Sequence, residues 1–352
     1  MSPSPSIPGL AGTSVRIATE VWRGPILESR HRLEAAIAGP AGEPFAATPG
    51  GDVVTTFRSA AKPFQLVALV ERGHADQFGF DDEHLAVMAA SHTGSTYHVR
   101  LVTEILERIG LSDRQLACGY HEPLDEEARE LVRRNAGARS PLYNNCSGKH
   151  AGMLAFARAE GWPVEGYERP DHPVQREMLA VVADAVGLRP EQVPTGIDGC
   201  SVPVFGAPLS AMARSYARFA VADRDGNARS AAMARIRAAM LAYPRATGGD
   251  QRFSTALMER AGGAIVAKGG AEGLECIGLI GAGLGLAIKC EDGSSRAVAP
   301  AVLALLEHFE LIGAAALEGL ETWRRPVVKN VAGLNVGELR AVVETNNAGS
   351  RS

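Results

Sequence analysis

The chain has 352 residues and a formal net charge of -4, long enough for one large domain or two with a sizeable core. Composition is that of an ordinary soluble globular chain, and with no basic run it excludes nucleic acid as an expected partner. No apolar stretch is long and charge-free enough to span a bilayer, which excludes a membrane partner.

In chain order, Met1-Ser2-Pro3-Ser4-Pro5-Ser6-Ile7-Pro8 lacks the basic region and apolar core of a signal peptide. Its Pro and Ser content predicts a disordered tail over 1–14. Short strand-like runs follow at Val15–Thr19, Arg32–Ala38 and Phe45–Thr48, with a turn signal at Gly39-Pro40-Ala41-Gly42. Phe64–Arg72 has helical spacing, and Pro63 fits only a first turn. Helical periodicity then dominates 61–255, through His84–Ala90, Tyr97–Ile109, Glu126–Asn135, Gln175–Val186 and Ala231–Tyr243. Two loops interrupt it, Ser140–Ser147 and Thr195–Pro203. Strand character returns at Ala264–Ala267, Glu275–Ile280 and Gly285–Cys290. Glu291-Asp292-Gly293 predicts a hairpin into a strand over Arg296–Ala299, and Ala301–Leu311 a final helix. Residues 345–352 read as a second disordered tail. The expected fold is α+β: a single catalytic domain over 15–344. Its mainly antiparallel sheet comes from both chain ends, 15–57 and 263–299, with helices on both faces and a helical insertion. Cys118, Cys146, Cys200, Cys276 and Cys290, an odd number without an export signal, predict reduced thiols and a cytoplasmic location.

Ser59-Ala60-Ala61-Lys62 carries the strongest chemical signal. Serine and lysine three residues apart share one face of a helical turn, where lysine can take the proton of an otherwise poor nucleophile. The competing reading of Ser59 is a helix N-cap, and of Lys62 a solvated surface residue. A lysine serves as base only when neutral, so burial or a second cation must lower its pKa. Lys268 of Lys268-Gly269-Gly270 is the candidate cation, with glycines that let the strand backbone approach a substrate closely; the alternative is a strand-end lysine. Ser91, at the end of an apolar run, is a candidate proton relay; the alternative is a cap. His92 beside it reads as a structural histidine. Ser-x-x-Lys, a second serine and a Lys-x-Gly box are the three elements of the serine β-lactamase and penicillin-binding group. Here the second lacks its Asn and the third has Gly for Thr or Ser, so related chemistry is expected in a related scaffold.

Asn144-Asn145-Cys146-Ser147-Gly148-Lys149-His150 is the densest polar cluster, with Cys146, Lys149 and His150 at positions that share a helix face. With Asp198-Gly199-Cys200 it leaves three readings. These are a zinc site on Cys146 and Cys200 completed by His150 or Lys149 and water, two buried free cysteines, or a Cys146 nucleophile with His150 as base. Gly281-Ala282-Gly283-Leu284-Gly285 resembles a dinucleotide loop but leads into a strand, which excludes a Rossmann site.

Together, Arg58-Ser59-Ala60-Ala61-Lys62-Pro63, Ala90-Ser91-His92, Cys146-Ser147-Gly148-Lys149-His150, Asp198-Gly199-Cys200 and Lys268-Gly269-Gly270-Ala271-Glu272-Gly273 resemble the rhizobial-type (class 3) L-asparaginase II family. The resemblance covers about 15–344. It implies a serine β-lactamase/glutaminase-like fold, a homodimer, and hydrolysis of L-asparagine, a small-molecule substrate, to L-aspartate and ammonia. It also implies Ser59 as nucleophile with Lys62 as base, Ser91 and Lys268 as a second Ser-Lys pair, and zinc held by Cys146, Lys149, Cys200 and water. Arg58, His150 and Asp198 are the candidate substrate-binding residues: Arg58 for the α-carboxylate, with a structural ion pair as the alternative, and Asp198 for the α-amino group. The alternatives are a Cys146/His150 amidohydrolase and a zinc-containing, non-catalytic module that binds an amino acid.

Overall fold

Strand formation at the front of the chain follows from alternation. Along Thr13–Arg23, Thr13, Val15, Ile17, Thr19 and Val21 are buried and most intervening residues are not. The computed structural model describes residues 10, 12–49, 52–135, 139–224 and 226–347. Contacts divide the chain into two units: 1–60, 207–221 and 256–352 form the first, 61–206 and 222–255 the second.

The first unit holds an eight-stranded sheet. Its order is Val327–Lys329, Asn335–Asn347, Thr13–Arg23, Pro44–Ala47, Ile26–Ala38, Leu284–Cys290, Leu274–Leu279, Ile265–Gly270, and Thr13–Arg23 also pairs directly with Ile26–Ala38. All pairings are antiparallel except the short one between Thr13–Arg23 and Pro44–Ala47. The sheet is therefore built from both chain ends, as expected. Helix Val298–His308 covers one face, where Thr19 Oγ1 donates to Ala297 O at 2.7 Å. Helix Leu209–Ala220 covers the other, against the strand carrying Gly285. Gly278 and Gly285 are cross-strand partners under that helix. A Cβ on Gly278 would lie 2.8 Å from Tyr216 O, and one on Gly285 would overlap Ala213 O outright. The glycine-rich segment 281–285 thus contributes helix-on-sheet contact, with no nucleotide loop.

Three expectations are corrected here. Arg296–Ala299 is no strand: Ser295–Ala297 forms a 3-10 turn that runs into the helix Val298–His308. Its apolar residues belong to a helix face, which a four-residue window does not distinguish from a strand. Thr345, Asn346 and Asn347, read as tail, pair with Val15, Ser14 and Thr13, so Thr13 and Ser14 also leave the N-terminal tail. The remaining tail residues, apart from Leu10 and Gly12, lie outside the described residues. The loop Thr195–Pro203 contains a short strand, Thr195–Ile197, paired antiparallel with the start of Pro203–Pro208.

The second unit is helical, with ends set by local chemistry. The Asp81, Asp125 and Asn227 side chains accept from the backbone N–H of His84, Ala128 and Ser230, capping helices Asp82–Met88, Glu126–Arg134 and Ala228–Ala242. Helix Ser147–Ala159 is buried from Ser147 through Ala157. Gly148 permits this, since a Cβ there would collide with Val87 O. Among the described residues no helix is long and apolar enough to cross a membrane.

Candidate active site

In the first unit, Arg58 and Ser59 lie in the 3-10 turn Arg58–Ala61, which runs directly into the helix Lys62–Gln65. Arg58 has φ 45°, a left-handed conformation that a non-glycine residue adopts at a cost. The turn is pinned from below, where Tyr216 Oη donates to Ala60 O at 2.8 Å and its ring meets Phe57 edge-on. The strand Ile265–Gly270 ends beside it: a Cβ on Gly270 would sit 3.3 Å from Arg58 Cβ. The Lys-Gly-Gly strand thus comes close to the Arg58–Ser59 turn. Lys268 is buried and donates to Gly269 O at 2.8 Å.

In the second unit, Lys62 is buried at the start of its helix, with an amine that donates to Ala90 O (2.6 Å), Ser91 Oγ (3.0 Å) and Asn145 O (3.3 Å). Lys62 therefore meets Ser91, the serine that resemblance assigns to Lys268. Burial pushes the Lys62 pKa down, Cys146 opposes this, and the nearby Lys149 ammonium reinforces it. Lys62 and Lys149 line one small cavity with apolar Leu66, Leu69, Met153 and Phe156, which accounts for the desolvation.

The loop before helix Ser147–Ala159 is held by its own polar residues. Asn144 Nδ2 donates to Cys118 O and Gly119 O, while its Oδ1 accepts from Cys146 N. His121 Nε2 accepts from Asn145 N. Ser147 Oγ donates to Leu142 O, so the bond of 2.9 Å between Ser147 Oγ and His92 Nε2 is donated by the histidine. His92 Nδ1 accepts from Gly94 N, which fixes the same tautomer. Burial holds the His92 pKa well below its ordinary value, so the ring is neutral. His92 is the structural histidine that its position suggested.

Cys146, Lys149 and Cys200 converge. Lys149 Nζ donates to Cys200 Sγ at 3.0 Å, and all three are buried. The hydrogen bond with Cys200 lowers the Cys146 pKa far below that of a free thiol, against burial and with help from both lysines. The same bond raises the pKa of Cys200. Burial works against the Lys149 ammonium, but Cys146 and Cys200 outweigh it and hold its pKa up. Two thiols and an amine in contact within a buried site are a donor set that suits zinc. Asp198 and Cys200 share a tight turn in which Ser201 N donates to Asp198 O and Ser201 has φ 76°.

His150 departs from the nucleophile-base reading. Its Nδ1 lies 2.7 Å from Tyr167 Oη, and its Nε2 has no partner among the described residues. Cys146 meets Cys200 and Lys62 instead. The structure thus joins Lys62 with Ser91, and Cys146 with Lys149 and Cys200. Ser59, Arg58 and Lys268 are placed in the first unit. Sequence reasoning missed Tyr167 and His121; no motif marks either, and both act through contacts remote in the chain.

Solved structures similar to this chain include Mglu in its native form in the presence of 4.3 M NaCl (16% identity, TM-score 0.43, covering 81% of this chain and 62% of that one). Another is Mglu in its glutamate form (18% identity, TM-score 0.34, covering 82% and 62%). A third is a β-lactamase from Mycobacterium bovis (16% identity, TM-score 0.41, covering 79% and 94%). The chain spans 62% of the length of these two Mglu structures. No match was found among curated proteins. A family model described as L-asparaginase II matches residues 19–341. The chain belongs to the L-asparaginase II family of amidohydrolases.

Proposed function

We propose that the protein hydrolyses L-asparagine to L-aspartate and ammonia through an acyl-enzyme on Ser59. The observation that carries the reading is Lys62, buried and hydrogen-bonded to the Ser91 hydroxyl, with its pKa pushed down. A lysine whose pKa is lowered is a readier base than a solvated one.

Ser59 Oγ attacks the side-chain amide carbon as Lys62 takes its proton. The tetrahedral intermediate collapses, the C–N bond breaks, and the leaving nitrogen takes a proton from the Ser91 hydroxyl, which Lys62 reprotonates. Water then attacks the ester, its proton passes back along the same groups, and aspartate leaves. The nearby Lys149 ammonium favours the neutral form of Lys62; Lys268 is the second lysine of the proposed chemistry. Arg58 binds the α-carboxylate, Asp198 the α-ammonium, and His150 lends a further polar contact. Cys146, Lys149 and Cys200 would hold zinc, whose charge would keep two thiolates and a neutral lysine stable in a buried place. The protein works as a homodimer in a reducing cytoplasm; five free, buried thiols support that compartment.

Ammonia release from L-asparagine and L-glutamine by one preparation tests the reading. Asparagine is expected to be turned over with kcat/KM at least about tenfold above glutamine, because one methylene displaces the amide from a nucleophile set against fixed α-groups. Ser59→Ala should abolish turnover in a folded protein. Failure to release ammonia from asparagine, or near-normal turnover by Ser59→Ala, sinks it.

A further inference from the structure

We propose that Tyr167 is a positioning residue that locks His150 in the tautomer with its proton on Nε2, so that the site offers a buried donor to an acceptor oxygen of an amino-acid ligand. The choice of ligand rests on the function proposed above; the tautomer does not.

The argument is a count of protons. The Tyr167 hydroxyl accepts from Ala117 N at 2.9 Å and lies 2.7 Å from His150 Nδ1. Tyr167 is buried, with 1% of its surface exposed, so its proton is shielded from bulk solvent. If Nδ1 carried the imidazole proton, the phenol oxygen would accept twice and its own proton would be stranded. If Tyr167 donates to Nδ1, every proton of the pair has a partner except that on Nε2. The phenol is held in place: Gln175 Nε2 donates to Tyr167 O at 2.8 Å, and the ring packs edge-on to the imidazole, 5.6 Å between centroids at 81°.

His150 is itself fully buried, and its Nε2 finds no acceptor among the described residues. A buried donor left unsatisfied is costly, and such groups in native proteins have an explanation. Here the partner is supplied by the ligand. One helix turn presents the donor, because His150 follows Lys149 on the helix Ser147–Ala159. A carboxylate or carbonyl oxygen satisfies Nε2–H; an ammonium does not.

The test uses the full chain labelled with ¹⁵N-histidine. Long-range ¹H–¹⁵N correlation, with His150→Gln to assign the resonance, should show His150 as the Nε2–H tautomer. In Tyr167→Phe, which keeps the ring, that pure tautomer should be lost. KM for L-asparagine and Kd for L-aspartate should each rise about tenfold, the loss of one hydrogen bond, with kcat changed less. A wild-type spectrum showing Nδ1–H overturns the proposal, even where Tyr167→Phe fails to fold. So does a folded Tyr167→Phe with unchanged tautomer and affinity. An Nε2–H spectrum lost in Tyr167→Phe, in a protein that binds aspartate but releases no ammonia, upholds the role of Tyr167 and overturns the function.

Discussion

Lys62 concentrates the chemistry at the residue scale. Its amine meets three acceptors, two of them backbone carbonyls, and sits in a partly apolar cavity beside a second lysine. Those carbonyls would satisfy any cation, so charge alone does not separate a base from an anchor. Arginine does, since it keeps the charge and does not deprotonate in proteins. Lys62→Arg should therefore lose at least about 10²-fold in kcat, the ordinary worth of general-base catalysis, close to the loss in Lys62→Ala. Steady-state kinetics on both variants checks it, and substantial kcat in Lys62→Arg would leave the residue a purely electrostatic role. The residue scale is also where the sequence was most readable. Lys149 and His150 are on the helix that their spacing predicts, and Lys149 meets Cys200. The spacing said nothing of Tyr167, because its bond to His150 crosses a turn with no periodic pattern.

Elements show where glycine matters. The Leu209–Ala220 helix rests on Gly278 and Gly285, and any side chain at Gly285 must push the backbone of Ala213 away. Gly285→Ala should destabilise the protein by about 1–3 kcal/mol, the cost of overpacking a close contact. Urea unfolding followed by circular dichroism measures this; an unchanged midpoint would show that the helix can shift freely. Legibility varied among elements for a physical reason. Thr13–Arg23 alternates because one face is buried, so its period of two is visible. Asn335–Asn347 has a single buried residue among those whose burial is described, Leu339; beyond it half-buried and exposed residues alternate, but exposed Val342 breaks the apolar pattern. Its strand conformation comes from ladder bonds to Thr13–Arg23, a partner more than 300 residues away. Thr195–Ile197 is fully exposed and contains Gly196, which hides it in the same way.

For the whole molecule, the proposed zinc and the proposed Ser-Lys chemistry make separable demands. A Ser-Lys nucleophile needs no metal, while Cys146 and Cys200 would each lose a proton to one. Metal analysis of the purified protein should find about one zinc per chain, the stoichiometry of a single site, and none in Cys146→Ser or Cys200→Ser. Chelation should raise KM for asparagine more than it lowers kcat. Metal-free protein with unchanged KM would detach zinc from function.

The pairing of Thr13–Arg23 with Asn335–Asn347 has a consequence for synthesis on the ribosome. Thr13–Arg23 emerges more than 300 residues before its outer neighbour, Asn335–Asn347. Until then one edge of that strand has open N–H and C=O groups, a template for wrong pairing with another nascent chain. The cost grows with the time taken to translate the long helical stretch between. Slower elongation, or loss of Asn335–Asn347, therefore endangers the protein through aggregation before it alters any site.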